Sequence, residues 1–482
     1  MQIIQVASEL TPIAKVGGLG DVLMGLSREL EWKGHDPLVI IPFYGVINAD
    51  QLKEDGRKEW FETFPYGKSL KASISFYRVN GIRIGLLDTE DGYFRKRRTI
   101  YGDGDEITCF ILFARAVAEW ILATQRSPDV IHAHDWQTAL LPALCRLYDH
   151  EKRLAKVRYL FTVHNFEYQG FCHGHDLERV GVHPDSFGTL LQDPERSCLN
   201  LVKAGLLSAD YTTTVSPTYA HEVVEGIEAR GLKTIVHSIQ DRFEGILNGV
   251  DYSYWNPEVD HFLVERYAAH QGARVVLEAK RNNREVLSHQ IGIPFRPEKP
   301  FIASVTRLVY QKGVDLLHNL FSRAEEFDIQ GILLGSVPDP RTERLFAELD
   351  TKLRSEGRGA IFLMSDEPFA HRVYAAADLF VVPSIFEPCG LTQLIALKYG
   401  TTPIVRHTGG LADTIIDIDT PSASANGFCF DSPDDTSLNE AFCRALKHLR
   451  EPVVREEVML RGMLQDFSWH KPCNRYISLY QS

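Results

Sequence analysis

Three runs of the chain carry side chains suited to an anionic sugar derivative. In Arg307-Leu308-Val309-Tyr310-Gln311-Lys312-Gly313, two cations stand between a strand-like and a helix-like segment. Arginine grips phosphate oxygens as a fork and lysine adds a point charge. With a helix N-terminus beside them, they can neutralise a diphosphate without a metal. The plainer alternative is a solvated loop with two surface charges. In Ser384-Ile385-Phe386-Glu387-Pro388-Cys389-Gly390-Leu391, Glu387 is either a helix cap or an acceptor for sugar or ribose hydroxyls. Cys389 reads as a small packed residue, with a reactive thiol at a helix N-terminus as the alternative. The third run, Lys15-Val16-Gly17-Gly18-Leu19-Gly20-Asp21, follows a strand and precedes a helix. That order lets backbone N–H groups face an anion, with glycines giving close approach and positive φ. No Walker A pattern is present, and Leu23 stands where a G-x-G-x-x-G pattern needs its last glycine. The loop therefore points to a phosphate or sugar-phosphate without naming one.

Two further sets read as structural. His132 and His134 share one strand face, but no third ligand lies near them in sequence, so a metal is not expected. Asp103-Gly104-Asp105 reads as a turn and helix N-cap. His164 follows a strong strand, and either its ring or its carbonyl could reach a ligand.

The elements that must position these residues alternate. Strands are expected near residues 3–7, 37–41, 82–87, 130–133, 159–163 and 211–215, with antiparallel additions between 50 and 81. Helices are expected over 22–30, 105–123, from 136 onward and over 199–207. Ser216-Pro217 reads as an N-cap followed by a first helical residue. Turn signals at Asn248-Gly249 and Asn256-Pro257 mark a boundary, and a charged helix is expected over 264–289. The pattern then restarts, with strands near 301–305, 331–334, 361–364, 379–382 and 403–405, and a helix running from Gly313 to Phe327. This grammar predicts an α/β protein of two Rossmann-like domains, residues 1–248 and a second from 249 onward. Ligands in such sheets sit at the carboxyl ends of strands, where Lys15, Asp135, His164, Arg307, Lys312 and Glu387 all fall. A cleft between the domains is expected.

Composition narrows the class. A chain of 482 residues exceeds one compact core. With 44% hydrophobic and 24% charged residues it reads as an ordinary soluble protein. A net charge of −12 disfavours nucleic acid and anionic membrane as partners. No run spans a bilayer and no targeting segment is seen, so a bacterial cytoplasm is expected. The 8 cysteines include no C-x-x-C pair and read as reduced thiols.

Taken together, residues 15–21, 132–136, Thr162-Val163-His164-Asn165 with Tyr168-Gln169-Gly170, 214–220 and 247–257 resemble the bacterial glycogen synthases and plant starch synthases. So do Arg307 with Gln311-Lys312-Gly313, residues 383–394 and Thr408-Gly409-Gly410-Leu411-Ala412-Asp413-Thr414. The resemblance covers nearly the whole chain in order. It implies a GT-B type retaining glucosyltransferase that passes glucose from ADP-glucose to the non-reducing end of an α-1,4-glucan, with no metal and no cofactor. It also implies that residues 468–482 cross back to the first domain. By the same resemblance, His164, Arg307, Lys312 and Glu387 would be catalytic. The substrates would be held by Lys15, Gly17, Gly18, Asp21, Asp135 and Asn165 together with Tyr168 and Asn248. Gln311, Cys389, Gly390, Leu391 and Thr392 would complete the binding set.

Retention by double displacement needs a carboxylate nucleophile, and none is convincing. The resemblance implies instead a reaction on one face of the sugar, with the departing diphosphate taking the acceptor's proton and the His164 carbonyl steadying the cationic centre. Three positions depart from the family pattern. Ile395 stands where related transferases often carry a second glutamate, and Ile385 replaces an arginine. Ser365 stands where a tyrosine is expected to stack on adenine, which leaves ADP-glucose and UDP-glucose both open as donors. A non-catalytic glucan-binding scaffold and a pyridoxal-dependent glucan phosphorylase are the competing readings.

Overall fold

A computed structural model of the chain describes residues 1–56 and 58–482. It divides into two units, Met1–Gly249 with Trp469–Ser482, and Val250–Ser468. The first division falls one residue beyond the boundary at 248 read from the turn signals, and the second one residue beyond the 467 that the resemblance implies.

Among the described residues the first unit holds twelve strands in chain order: β1 (Gln2–Val6), β2 (Asp36–Pro42), β3 (Lys53–Glu54), β4 (Glu59–Thr63), β5 (Leu70–Val79), β6 (Ile82–Thr89), β7 (Val130–His134), β8 (Arg158–Val163), β9 (Phe171–Cys172), β10 (Leu199–Asn200), β11 (Tyr211–Thr214) and β12 (Phe243–Gly245). Its main sheet runs β12-β11-β8-β7-β1-β2-β6-β5-β3, with β4 also on β5. Pairings from β12 to β6 are parallel, and those of β5 with β6, β3 and β4 are antiparallel. β1 and β2 are buried along almost their whole length, as expected of parallel strands covered on both faces. The helix Leu19–Trp32 lays Leu19, Leu23, Leu26 and Leu30 inward at helical spacing. The helix His470–Gln481 closes the other end of the sequence onto this sheet. Trp469, Cys473, Tyr476, Leu479 and Tyr480 pack with Ile3, Leu30, Val130 and Leu160.

The second unit is built on β13 (Phe301–Val305), β14 (Gln330–Leu334), β15 (Gly359–Phe362), β16 (Leu379–Val382), β17 (Thr402–Arg406) and β18 (Phe428–Phe430). All pairings in its sheet, ordered β15-β14-β13-β16-β17-β18, are parallel. Alternate residues enter separate cores: Ile302, Leu333, Leu379 and Val381 on one side, Ala303, Ile332 and Phe380 on the other. In the parallel part of each sheet the strand order reverses once, between β1 and β7 and between β13 and β16. Such switch points open a crevice at the carboxyl ends of the strands.

Several local expectations are corrected. The helix expected from residue 136 begins at Leu141. Asp135 sits at φ +57, and the Thr138 hydroxyl bonds both the N–H and the carbonyl of His134, which competes with helix. The helix expected over 264–289 spans Ala273–Ile291. The Asn283 side chain accepts from Val264 N–H and donates to the Glu265 carbonyl, holding that segment out of the helix, and Gly272 turns at φ +87. The helix after Gly313 stops at Ser322. Residues 199–200 form a strand, and Asn200 then caps Leu201–Ser208. Ser216 caps the helix Pro217–Glu225 through Tyr219 N–H. Asp105 does not cap its helix by its side chain. Its carboxylate bonds Arg97 and Tyr93, and Asp103 bonds Arg97 at 2.9 Å. Among the described residues all eight cysteines are free, and no helix is long and apolar enough to cross a membrane.

Candidate functional site

In the second unit the loops after β13 and β16 are tied together. Ile385 N–H donates to the Gln311 carbonyl at 2.8 Å, and Gln311 Nε2 reaches the Phe386 carbonyl at 3.4 Å. Gly313, at φ +67, opens the helix Val314–Ser322, and a Cβ there would lie 2.1 Å from the Pro383 carbonyl oxygen. These contacts bring Lys312 to Glu387, Nζ to Oε2 at 2.5 Å, with Ser384 Oγ donating to the same oxygen at 2.8 Å. Glu387 is only 5% exposed, so it is an internal partner of Lys312 rather than a helix cap. The helix that follows begins at Thr392, with Gly390 at φ +74 in the turn before it and Cys389 buried. Arg307 is half-buried, and among the described residues its guanidinium has no hydrogen-bond or ion-pair partner. A half-buried cation left this way is what an incoming anion completes.

Two residues that sequence reasoning missed brace this half. The Arg406 guanidinium clasps the carbonyls of Ser384 and Ile385, supporting the backbone just before Glu387. Ser384 fixes the carboxylate itself. The glycine pair 409–410 packs directly beneath, with Gly410 N–H donating to the Glu387 carbonyl at 3.1 Å.

In the first unit the expected loop folds differently from its sequence signature. Gly17 and Gly18 do not take positive φ, and Gly18 stands at φ −73. Gly20 serves close approach: a Cβ there would lie 2.9 Å from Thr11 N. The N–H groups of Val16 and Gly17 point at the Glu9 carboxylate, each at 2.8 Å. Lys15 Nζ pairs with Asp21 at 2.8 Å. Glu9, three residues past the end of β1, was not singled out by sequence.

At the ends of β7 and β8, His164 N–H donates to Asp135 Oδ1 at 2.6 Å, and the His134 and His164 rings meet at 3.1 Å, Nδ1 to Nε2. The His132 ring lies against that of His134, centroids 3.9 Å apart and tilted by 34°, and bonds Tyr480 and Thr162. Asn165 accepts from Glu167 N–H, and Tyr168 is half-exposed beside it. Asn248 is buried, and its Oδ1 has no partner among the described residues.

Burial lowers the pKa of all three imidazoles, that of His164 to about 3, so each ring is neutral at pH 7. Burial raises the Asp135 carboxyl to about 7, against the pull of the His164 and Asn165 N–H groups. Unfolded histidine titrates near ~6.5. The unfolded chain therefore binds protons that the native rings refuse, and native stability falls as pH drops below that value. Asp135 acts in the opposite sense, since its native carboxyl keeps a proton that the unfolded one loses near ~3.9. Denaturant midpoints are thus expected to fall between pH 6.5 and 4. His134→Gln should shallow that fall and Asp135→Asn should steepen it.

Against known proteins, the family model described as starch synthase catalytic domain matches residues 2–238, and that of glycosyl transferases group 1 matches 264–453. The chain is 40% identical to the glycogen synthase of Protochlamydia amoebophila (strain UWE25), across 100% of this chain and 99% of that one. It belongs to the glycogen and starch synthase family. The glycogen synthase of Geobacillus stearothermophilus is 37% identical over 100% and 97% of the two chains. The catalytic domain of starch synthase IV from Arabidopsis thaliana, solved bound to ADP and acarbose, superposes with a TM-score of 0.93 at 36% identity, covering 100% of this chain and 98% of that one. Sucrose-phosphate synthase from Thermosynechococcus elongatus, at 17% identity and a TM-score of 0.60, shares the fold. As a synthase of this family the chain is a GT-B glycosyltransferase.

Proposed function

We propose that the enzyme elongates an α-1,4-glucan at its non-reducing end with glucose from ADP-glucose, retaining the anomeric configuration. The observation that carries this is Arg307, half-buried and with no partner among the described residues, on the same β13 loop as the Lys312 that pairs with Glu387 at the β13/β16 switch point. Arg307 and Lys312 take the diphosphate and stabilise the charge that builds on it as the C1–O bond breaks. Glu387 accepts hydrogen bonds from sugar hydroxyls, with Gln311 and residues 389–392 shaping the pocket around it. In the first unit, Lys15 and the 17–21 loop serve the donor, while Asp135, His164 and Asn248 contact the glucosyl group. A glucose hydroxyl would satisfy the bare Asn248 oxygen, whose burial without a partner costs about 1–3 kcal/mol. Asn165 and Tyr168 lie toward the acceptor. The acceptor hydroxyl attacks C1 on the face the diphosphate leaves, its proton passes to a departing phosphate oxygen, and the His164 carbonyl steadies the cationic sugar.

Ser365 and Met364 are exposed just before the helix Glu367–Ala376, and no ring stands at 365 to stack on a base. We therefore infer that ADP-glucose is the main donor and UDP-glucose a slower one. Purified enzyme given each labelled nucleotide sugar with glycogen should transfer from both, fastest from ADP-glucose, and equally well with EDTA present. Absence of transfer from either donor would refute the assignment.

A further inference from the structure

We propose that Glu9 is a positioning residue for the donor-binding loop, supplying from inside the protein the anion that the loop's backbone N–H groups would otherwise take from a ligand. The inference rests on the donor role given to Lys15 above. One oxygen, Oε2, accepts from two successive amides, Val16 N–H and Gly17 N–H, both at 2.8 Å. Successive amides converging on one point form the concavity that elsewhere binds phosphate. Here that concavity is filled. The other oxygen, Oε1, accepts from the Tyr101 hydroxyl at 2.8 Å, and Tyr101 also meets Ser8 Oγ at 2.7 Å. Burial, reinforced by the charge of Glu9, keeps the Tyr101 hydroxyl protonated and hence a donor.

Glu9 is 3% exposed, and among the described residues no lysine, arginine or histidine pairs with it. A buried carboxylate without a counter-ion persists only when hydrogen bonds occupy it, and two of its three come from this loop. The loop is closed at its base as well. Leu10 and Ala14 exchange backbone hydrogen bonds at 2.8 and 2.9 Å, and Thr11 N–H donates to the Gly20 carbonyl at 3.2 Å. Lys15 therefore projects from a turn pinned on both sides. The consequence for recognition is specific. Amides 16 and 17 are unavailable to the donor's phosphates, so the loop contributes the Lys15 ammonium and Glu9 fixes where that side chain starts.

Three variants of the full chain test this: Glu9→Ala, Glu9→Gln and Tyr101→Phe. Two quantities are read, the donor KM and kcat for transfer onto glycogen, and backbone hydrogen exchange across residues 14–18. Glu9→Ala should raise the donor KM about tenfold while changing kcat less than about threefold. It should also speed exchange in that segment at least about tenfold and leave the rest of the unit protected. Glu9→Gln should rescue both readouts, because its carbonyl accepts both amides and its NH2 donates to the Tyr101 oxygen. Tyr101→Phe should fall between them, and it keeps the test open if the alanine variant does not fold. Wild-type exchange in Glu9→Ala, or a Glu9→Gln variant as impaired as Glu9→Ala, would overturn the proposal. Exchange needs no substrate, so an enzyme that transfers no glucose would sink the assigned function while the brace is still decided.

Discussion

Arg307→Ala and Lys312→Ala should each lower kcat for glucose transfer by about 10²–10³-fold, the usual cost of removing one group aimed at developing charge. Their effects on folding should differ. Among the described residues Arg307 has no partner, so its removal should leave the melting temperature unchanged or slightly raised. Lys312 neutralises a carboxylate that is almost wholly buried, and its loss leaves Glu387 with Ser384 as its remaining side-chain partner. Stability should therefore drop by about 1–3 kcal/mol. Assay of transfer and thermal unfolding on the same preparations separates the two effects. Lys312→Arg should not restore full activity, because a planar fork does not reproduce a point charge on that oxygen. A chain serving only as a glucan-binding scaffold would keep its function in both alanine variants.

Gly410→Ala should be damaging without touching any charged group. A Cβ at 410 would stand 2.1 Å from the Cys389 carbonyl oxygen and 2.4 Å from Cys389 Cα. Both are backbone atoms held by the Gly410 N–H bond to Glu387, so the clash is relieved only by displacing the 387–389 segment. A loss of about 1–3 kcal/mol in unfolding free energy is expected. A misplaced carboxylate should also lower transfer by about 10²-fold, since small displacements of positioning groups carry such costs. Gly104→Ala, with open space around its Cβ, is the matched control and should be silent in both assays. Wild-type transfer by Gly410→Ala would show that this support does not set the Glu387 position.

The strand cores and the order of elements were legible because parallel strands buried on both faces write themselves as short apolar runs. Residues 301–305 and 379–382 were read with the bounds the structure gives. Helix starts were less legible, because they depend on distant side chains: Asn283 holds residues 264–265 from nineteen and eighteen positions away. The site residues were visible as motifs, but their partners were not. Lys312 and Glu387 lie 75 positions apart, and only the switch point between β13 and β16 joins them. Gly17 and Gly18 misled through their type, since a glycine pair suggests positive φ and an open amide cradle. The structure gives negative φ at Gly18 and a cradle filled by Glu9, a residue whose spacing carries no motif.

The His132 ring at the centre of the first sheet shares one of its two hydrogen bonds with Tyr480, on the helix that follows the second unit in sequence. Protein synthesis delivers Val250–Ser468 before that tyrosine exists. The second unit is contiguous in sequence, whereas the unit made first waits for the helix His470–Gln481. Domains commonly mature in the order of their synthesis; here the N-terminal unit is completed after the one that follows it in the chain.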